Sequence, residues 1–220
     1  LYEHPTVDGR NDALITRAGI YDGKEFHDFN HLNVREDTAH SFYKGDKSLH
    51  PWQGETDPID PLDGHKQGKY SWSKSPRYDV PGKGAIPMEV GPLARQVIAG
   101  RGGAAGHQDH DPFILDTINT VGPSVLVRVM ARMHEAPKYY TMVRKWLDQI
   151  DLHDRFYNKP VELESGRGFG ATEAARGALA DWIVLSDGKI ENYQVITPTA
   201  WNIGPRDRLG RHGPMEQSFI

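Results

Sequence analysis

The residues best suited to chemistry in this 220-residue chain lie between Gly166 and Arg206. Glycines and alanines crowd one arginine in Glu173-Ala174-Ala175-Arg176-Gly177-Ala178. Small residues let backbone approach a neighbour closely. A guanidinium among them, beside apolar strands, is costly to bury without an anion or acceptor, and breaking such a buried pair costs about 3–5 kcal/mol. Arg176 therefore reads either as a structural ion-pair residue or as a cation aimed at a ligand. Further on, Thr199 follows Pro198, where a plain helix N-cap is one reading. Gln194 reads, on spacing alone, as an ordinary strand residue.

Other candidate sites are weaker. His27 and His31 stand four apart, a metal-ligand spacing on a helix, but the nearby Asp22-Gly23 turn signal argues for strand, where they would sit about 13 Å apart. Glu55, Asp57, Asp60 and Asp63 could gather around calcium, yet interleaved prolines break the EF-hand spacing, and a long ordered loop is simpler. His107, Asp109, His110 and Asp111 fall in a glycine-rich loop, where chance clustering explains them. Gly166, Gly168 and Gly170 suggest a phosphate cradle, but a dinucleotide fingerprint from Gly168 needs glycine where Glu173 stands, and no strand precedes it. The aromatic and basic run Lys69 to Tyr78 reads as a partner-facing segment rather than a platform for single-stranded nucleic acid.

These residues need elements to hold them. Residues 11–34 read as a hairpin turning at Asp22-Gly23, and residues 178–197 as a second hairpin turning at Asp187-Gly188. The first strand of the second hairpin is apolar on both faces, so it should be covered on both sides. Pro92 opens a helix that Gly100 stops. A helical region runs from Ser124 to Ile150, with Leu126, Val129, Met130 and Met133, then Tyr140, Val143, Trp146, Leu147 and Ile150, as its core stripe. Pro137 should kink or split it. The fold class is α+β, helix-rich with β-hairpins.

Composition bounds the rest. The net charge of −4, with no basic run, argues against a general nucleic-acid surface. The chain contains no cysteine, which excludes disulfides and thiolate metal ligands within it. No apolar run reaches the roughly 20 residues of a membrane helix.

Several segments together resemble one family. They are Lys74-Ser75-Pro76-Arg77-Tyr78, Glu89-Val90-Gly91-Pro92-Leu93-Ala94-Arg95, Glu173 to Leu179, Gly188 to Gln194, and Thr197-Pro198-Thr199-Ala200-Trp201-Asn202-Ile203-Gly204-Pro205-Arg206. Over roughly residues 69–220 the chain resembles the large, catalytic subunit of nickel–iron hydrogenases. The resemblance implies a nickel–iron centre with cyanide and carbon monoxide ligands, held by two Cys-x-x-Cys pairs absent here. The chain is then expected to be part of a single larger domain whose N- and C-terminal metal-binding segments lie outside it.

The resemblance implies roles for individual residues. Arg176 would be the cation poised over the metals while dihydrogen is split into protons and electrons. Thr199 would hydrogen-bond a cyanide on iron. Ala175 stands beside Arg176 where proline is commoner, a departure that removes packing around the iron's ligands. The Val195 carbonyl and, through water, Gln194 would serve a magnesium-type site. Partners implied are an iron–sulfur small subunit and the rest of the large subunit, as a dimer of heterodimers, in the cytoplasm or at the cytoplasmic membrane. Two related roles share the scaffold: a quinone-reductase respiratory subunit without nickel, and a hydrogen-sensing regulatory hydrogenase.

Overall fold

The computed structural model describes residues 18–101, 111–153, 155, 157 and 163–220. The start of the first expected hairpin, around Ala13, lies outside these residues, as do His107, Asp109 and His110.

Proline punctuates the helices. α1 (Pro61–Lys66), α2 (Pro92–Arg101), α3 (Pro112–Val121), α5 (Pro198–Ile203) and α6 (Pro214–Gln217) all begin with it. A first-turn N–H has no partner within the helix, and proline brings the right φ, so nothing is lost there. Gly100 does not stop α2, which runs on to Arg101.

α4 (Val125–Asp148) is one continuous helix, capped by Ser124. Pro137 lies inside without splitting it. Met133, whose carbonyl loses its usual donor, sits on an exposed face where water can take the vacant bond. The expected core stripe is also corrected. Leu126, Met133, Tyr140, Leu147 and Ile150 are exposed, while Val127, Ala131 and Glu135 are buried. The inward face is chosen by small side chains that let α4 approach its neighbours, and by the ion pair that Glu135 makes.

The strands form three antiparallel sheets among the described residues. β1 (Ile20–Tyr21) pairs with β2 (Phe26–His27) across a four-residue loop, Asp22 to Glu25, whose first carboxylate accepts the amides of Lys24 and Glu25 at 2.9 Å each. The expected turn is present but longer than two residues. A four-stranded sheet has the order β4 (Ser48–Leu49), β3 (Val34–Asp37), β5 (Ser75–Val80), β6 (Gly84–Ile86). β5 therefore lies inside a sheet, so that Lys69 and residues 75–78 of the Lys69–Tyr78 run are buried while its start leaves Tyr70 and Trp72 exposed. Lys69 is enclosed, its Nζ donating to the carbonyls of Thr38 and Gly45, and of this run's aromatic residues only Tyr70 and Trp72 are exposed.

The third sheet carries the candidate site. β7 (Gly166–Ala174), β8 (Gly177–Ser186) and β9 (Lys189–Ile196) pair in that order. The turn at Asp187-Gly188 is as expected: both residues have positive φ, 51° and 72°, the pattern of a two-residue type I′ loop. β7 replaces the suspected glycine cradle. Its Phe169 and Ala171 point to the core, and its glycines fall on the other face, where a side chain at Gly168 would meet Ile183 at 2.8 Å. β8 is only partly covered: Ala180 and Trp182 are buried, but its other face is half-exposed.

The main core joins Ile20, Val34, Tyr78, Val80 and Val90 to Ala171, Ala180, Trp182, Ile196 and Trp201. A smaller cluster of Leu93, Ile114, Val127 and Ala131 joins α2, α3 and α4. The architecture is α+β.

Candidate active-site arch around Arg176

Ala175 and Arg176 form the tip of the β7–β8 hairpin, since Ala174 pairs with Gly177. Neither tip residue takes a positive φ; the left-handed torsion falls on Gly177, at 128°. A side chain at Gly177 would come within 2.6 Å of the Val90 side chain and 2.7 Å of the Gly91 nitrogen. In turn, a side chain at Gly91 would lie 3.0 Å from the Arg176 carbonyl. These two glycines let the hairpin tip press directly onto the Val90-Gly91 backbone.

Arg176 itself is exposed, and among the described residues its guanidinium has no hydrogen bond or ion pair. The structural ion-pair reading therefore does not hold for Arg176. The arginines that are buried and paired are Arg95 and Arg77.

Arg95 sits on α2 directly behind the tip. Its Nε and Nη2 bind the two oxygens of Glu135 at 2.5 and 2.7 Å. Its Nη1 binds Glu173 at 2.6 Å and the Ala174 carbonyl at 3.1 Å, and Nη2 also reaches the Ala175 carbonyl at 3.0 Å. Burial pulls against the cation, but Glu135 and Glu173 more than offset it, and its pKa rises.

Thr199 lies in the first turn of α5 and is exposed. It is not the cap, because Thr197 caps α5, its hydroxyl accepting from the Ala200 amide at 3.2 Å. One further α5 residue ties this helix to the arginine tip. The Asn202 side chain accepts from the Val90 amide and donates to the Val90 carbonyl, both at 3.0 Å. Val90 thus joins α5, bearing Thr199, to the tip bearing Arg176. Beneath them lies an apolar cavity of about 410 Å³, lined among others by Val90, Leu93, Ala178, Trp182 and Trp201.

Gln194 is buried on β9, with its amide already engaged. Nε2 donates to the Gly54 carbonyl at 3.2 Å, and Oε1 accepts from Lys74 at 2.9 Å. Lys74 also lies 3.6 Å from Glu36 Oε2, a buried oxygen without a hydrogen-bond partner. Burial raises the Glu36 pKa, and Lys74 offsets this only in part. The Lys74 ammonium is the cation that faces this oxygen. Val195 is exposed, opposite Asp181 in the sheet register.

The remaining candidates disperse. His27 binds Asp22 at 3.0 Å, while His31 stacks on Phe169 at 4.2 Å. Glu55, Asp57 and Asp63 pair with Lys47, Lys44 and Lys66, and Asp60 caps α1. Asp111 caps α3. No group of three metal-type side chains forms among the described residues.

Sequence reading missed Arg95, Glu135 and Asn202 as the residues that build the arch. A signal existed for two of them. Arg95 falls among Leu93, Gln96 and Ile98 on the buried face of α2, and Glu135 continues Val127 and Ala131 at four-residue steps. Charges at core positions of two helices ask for each other.

The family model for nickel-dependent hydrogenases matches residues 2–220. The chain belongs to the nickel-dependent hydrogenase family. Its likeness to that family thus reaches well before residue 69. The chain is 34% identical to an uptake hydrogenase large subunit of Bradyrhizobium diazoefficiens over 99% of its own length and 41% of the relative's. It is 33% identical to the periplasmic [NiFeSe] hydrogenase large subunit of Desulfomicrobium baculatum, over 94% of the chain and 40% of that protein. A solved [NiFeSe]-hydrogenase structure from the same organism superposes with a TM-score of 0.77 at 33% identity, covering 98% of this chain and 44% of the other. The chain therefore spans less than half the length of these family members. With no cysteine, its own residues do not fit a thiolate-held nickel–iron centre.

Proposed function

We propose that this chain is the section of a nickel–iron uptake hydrogenase large subunit that surrounds, without ligating, a nickel–iron centre where dihydrogen is split into protons and electrons. The observation carrying this reading is the hairpin tip: an exposed guanidinium with no partner among the described residues, mounted on a backbone fixed from behind. A cation positioned in advance stabilises negative charge as it develops, at no cost of reorganisation during the reaction. Guanidinium keeps its proton at any working pH, so Arg176 acts as an electrostatic and orienting group rather than a base. Thr199 supplies a hydroxyl free of capping duty, for a cyanide on iron. Ala175, in place of proline, leaves more room beside the centre. The apolar cavity behind the tip suits a small apolar molecule such as dihydrogen better than a polar one.

The nickel–iron centre, with carbon monoxide and cyanide ligands, would draw its thiolates from the remainder of the large subunit. An iron–sulfur small subunit would carry electrons away, within a dimer of heterodimers placed in the cytoplasm or at the cytoplasmic membrane. A magnesium-type site fits beside Glu36, Lys74 and Gln194, with the Val195 carbonyl as a ligand. Gln194 would serve that site through water. The names of the relatives favour uptake over the nickel-free quinone-reductase role.

The test is Arg176→Lys in the full-length enzyme with its small subunit. Hydrogen oxidation falls steeply while nickel and iron content hold. Unchanged turnover removes Arg176 from the site.

A further inference from the structure

We infer that Arg95 is a positioning residue for Arg176, fixing the hairpin tip from behind so that the catalytic guanidinium is presented in one orientation. The inference rests on the role proposed for Arg176.

Arg95 has five N–H donors, and five contacts are seen: two to Glu135, one to Glu173, and one each to the Ala174 and Ala175 carbonyls. A helix-to-sheet ion pair would need only the carboxylates. The two carbonyl bonds instead grip the backbone immediately before Arg176. The next carbonyl, that of Arg176, is held against Gly91, and Gly177 is held against Val90. Four consecutive residues are thus fixed on their inner side, while the tip side chains stay exposed. A two-residue hairpin tip is otherwise among the first parts of a fold to open. Glu135 adds reach: it anchors Arg95 to the 24-residue helix α4, so the tip is referenced to a long rigid element rather than to its own strands. Lysine at 95 keeps a positive charge but cannot form the planar fork that spans both carboxylates and both carbonyls.

The experiment uses the full-length enzyme with its small subunit, comparing Arg95→Lys, Arg176→Lys and the double variant. In Arg95→Lys, amide exchange at residues 175–177 rises about tenfold or more, while exchange around Asp187-Gly188 is unchanged. The same variant loses about ten- to a hundredfold in kcat, with KM and metal content retained. In the Arg176→Lys background, Arg95→Lys adds no further loss of kcat. Wild-type exchange at the tip, or losses that multiply in the double variant, overturn the inference. Should Arg176→Lys alone leave kcat intact, the role of Arg176 fails, and exchange at the tip still decides whether Arg95 positions it. If Arg95→Lys does not fold, Glu135→Gln loosens the same grip from the other side. A smaller rise in tip exchange supports the inference, and none overturns it.

Discussion

Arg95 on α2 and Glu135 on α4 meet in a two-pronged ion pair, at 2.5 and 2.7 Å, with both side chains almost wholly buried. The pair is the hinge pin between the helical layer and the sheet that bears Arg176. Glu135→Ala leaves Arg95 with Glu173 as its one remaining carboxylate. The expected cost is about 3 kcal/mol, near the lower end for breaking a buried pair. Denaturant unfolding of the purified enzyme measures it, and a loss under about 1 kcal/mol contradicts the assignment.

Asn202 satisfies both backbone groups of Val90. Asn202→Ala strands a donor and an acceptor in a buried position, for an expected loss of about 1–3 kcal/mol. Because Val90 backs the tip at Gly177, turnover drops as well. Stability without any change in turnover would separate α5 from the arginine arch.

Asp207 binds Arg77 at 3.1 Å and Arg211 at 2.8 Å in the interior. Burial alone raises its pKa, but the Arg211 amide and the two guanidinium groups more than offset this, and the folded value lies below the usual one. A lowered folded pKa contributes stability above the unfolded value, about 3.9, and loses it as pH falls through the folded value. Asp207→Asn is therefore destabilised at neutral pH by about 3 kcal/mol, with Arg77 left short of its counter-charge. The gap to wild type narrows below about pH 4. Unfolding curves from pH 3 to 7 test this; a gap independent of pH contradicts it.

Glu36 Oε2 is the unsatisfied oxygen of the Lys74–Gln194 cluster. If the proposed magnesium-type site lies here, chelation is expected to lower the melting temperature of the wild-type enzyme, and Glu36→Gln to blunt that response. Equal responses in both would place the cation elsewhere.

Much of the fold was legible because it is local. Asp187-Gly188 demanded its turn through two positive torsions, and Pro92 marked the start of α2. Long-range choices were not. Which face of α4 turns inward depends on Arg95, 40 residues away in sequence, and the four-residue series Val127, Ala131, Glu135 is masked by larger apolar residues on the exposed face. β7 was hidden because glycine occupies one face and leaves only Phe169 and Ala171 to show the alternation. Arg176 and Thr199 were singled out through motif likeness, and their roles remain proposals. The residues that hold them, Arg95 and Asn202, lay inside the same motifs, but their partners become visible only when the chain is folded. Gln194 was found for the same reason as Arg176, and its engagement by Lys74 was not readable from β9 alone.

We propose that the Arg176 guanidinium, without a partner among the described residues, acts on the chemistry of a nickel–iron centre. Steady-state hydrogen oxidation by the full-length Arg176→Lys enzyme, with nickel and iron quantified in the same sample, tests it most directly. The expected fall in kcat is about a hundredfold or more at full metal occupancy. Wild-type kcat at full occupancy would contradict it.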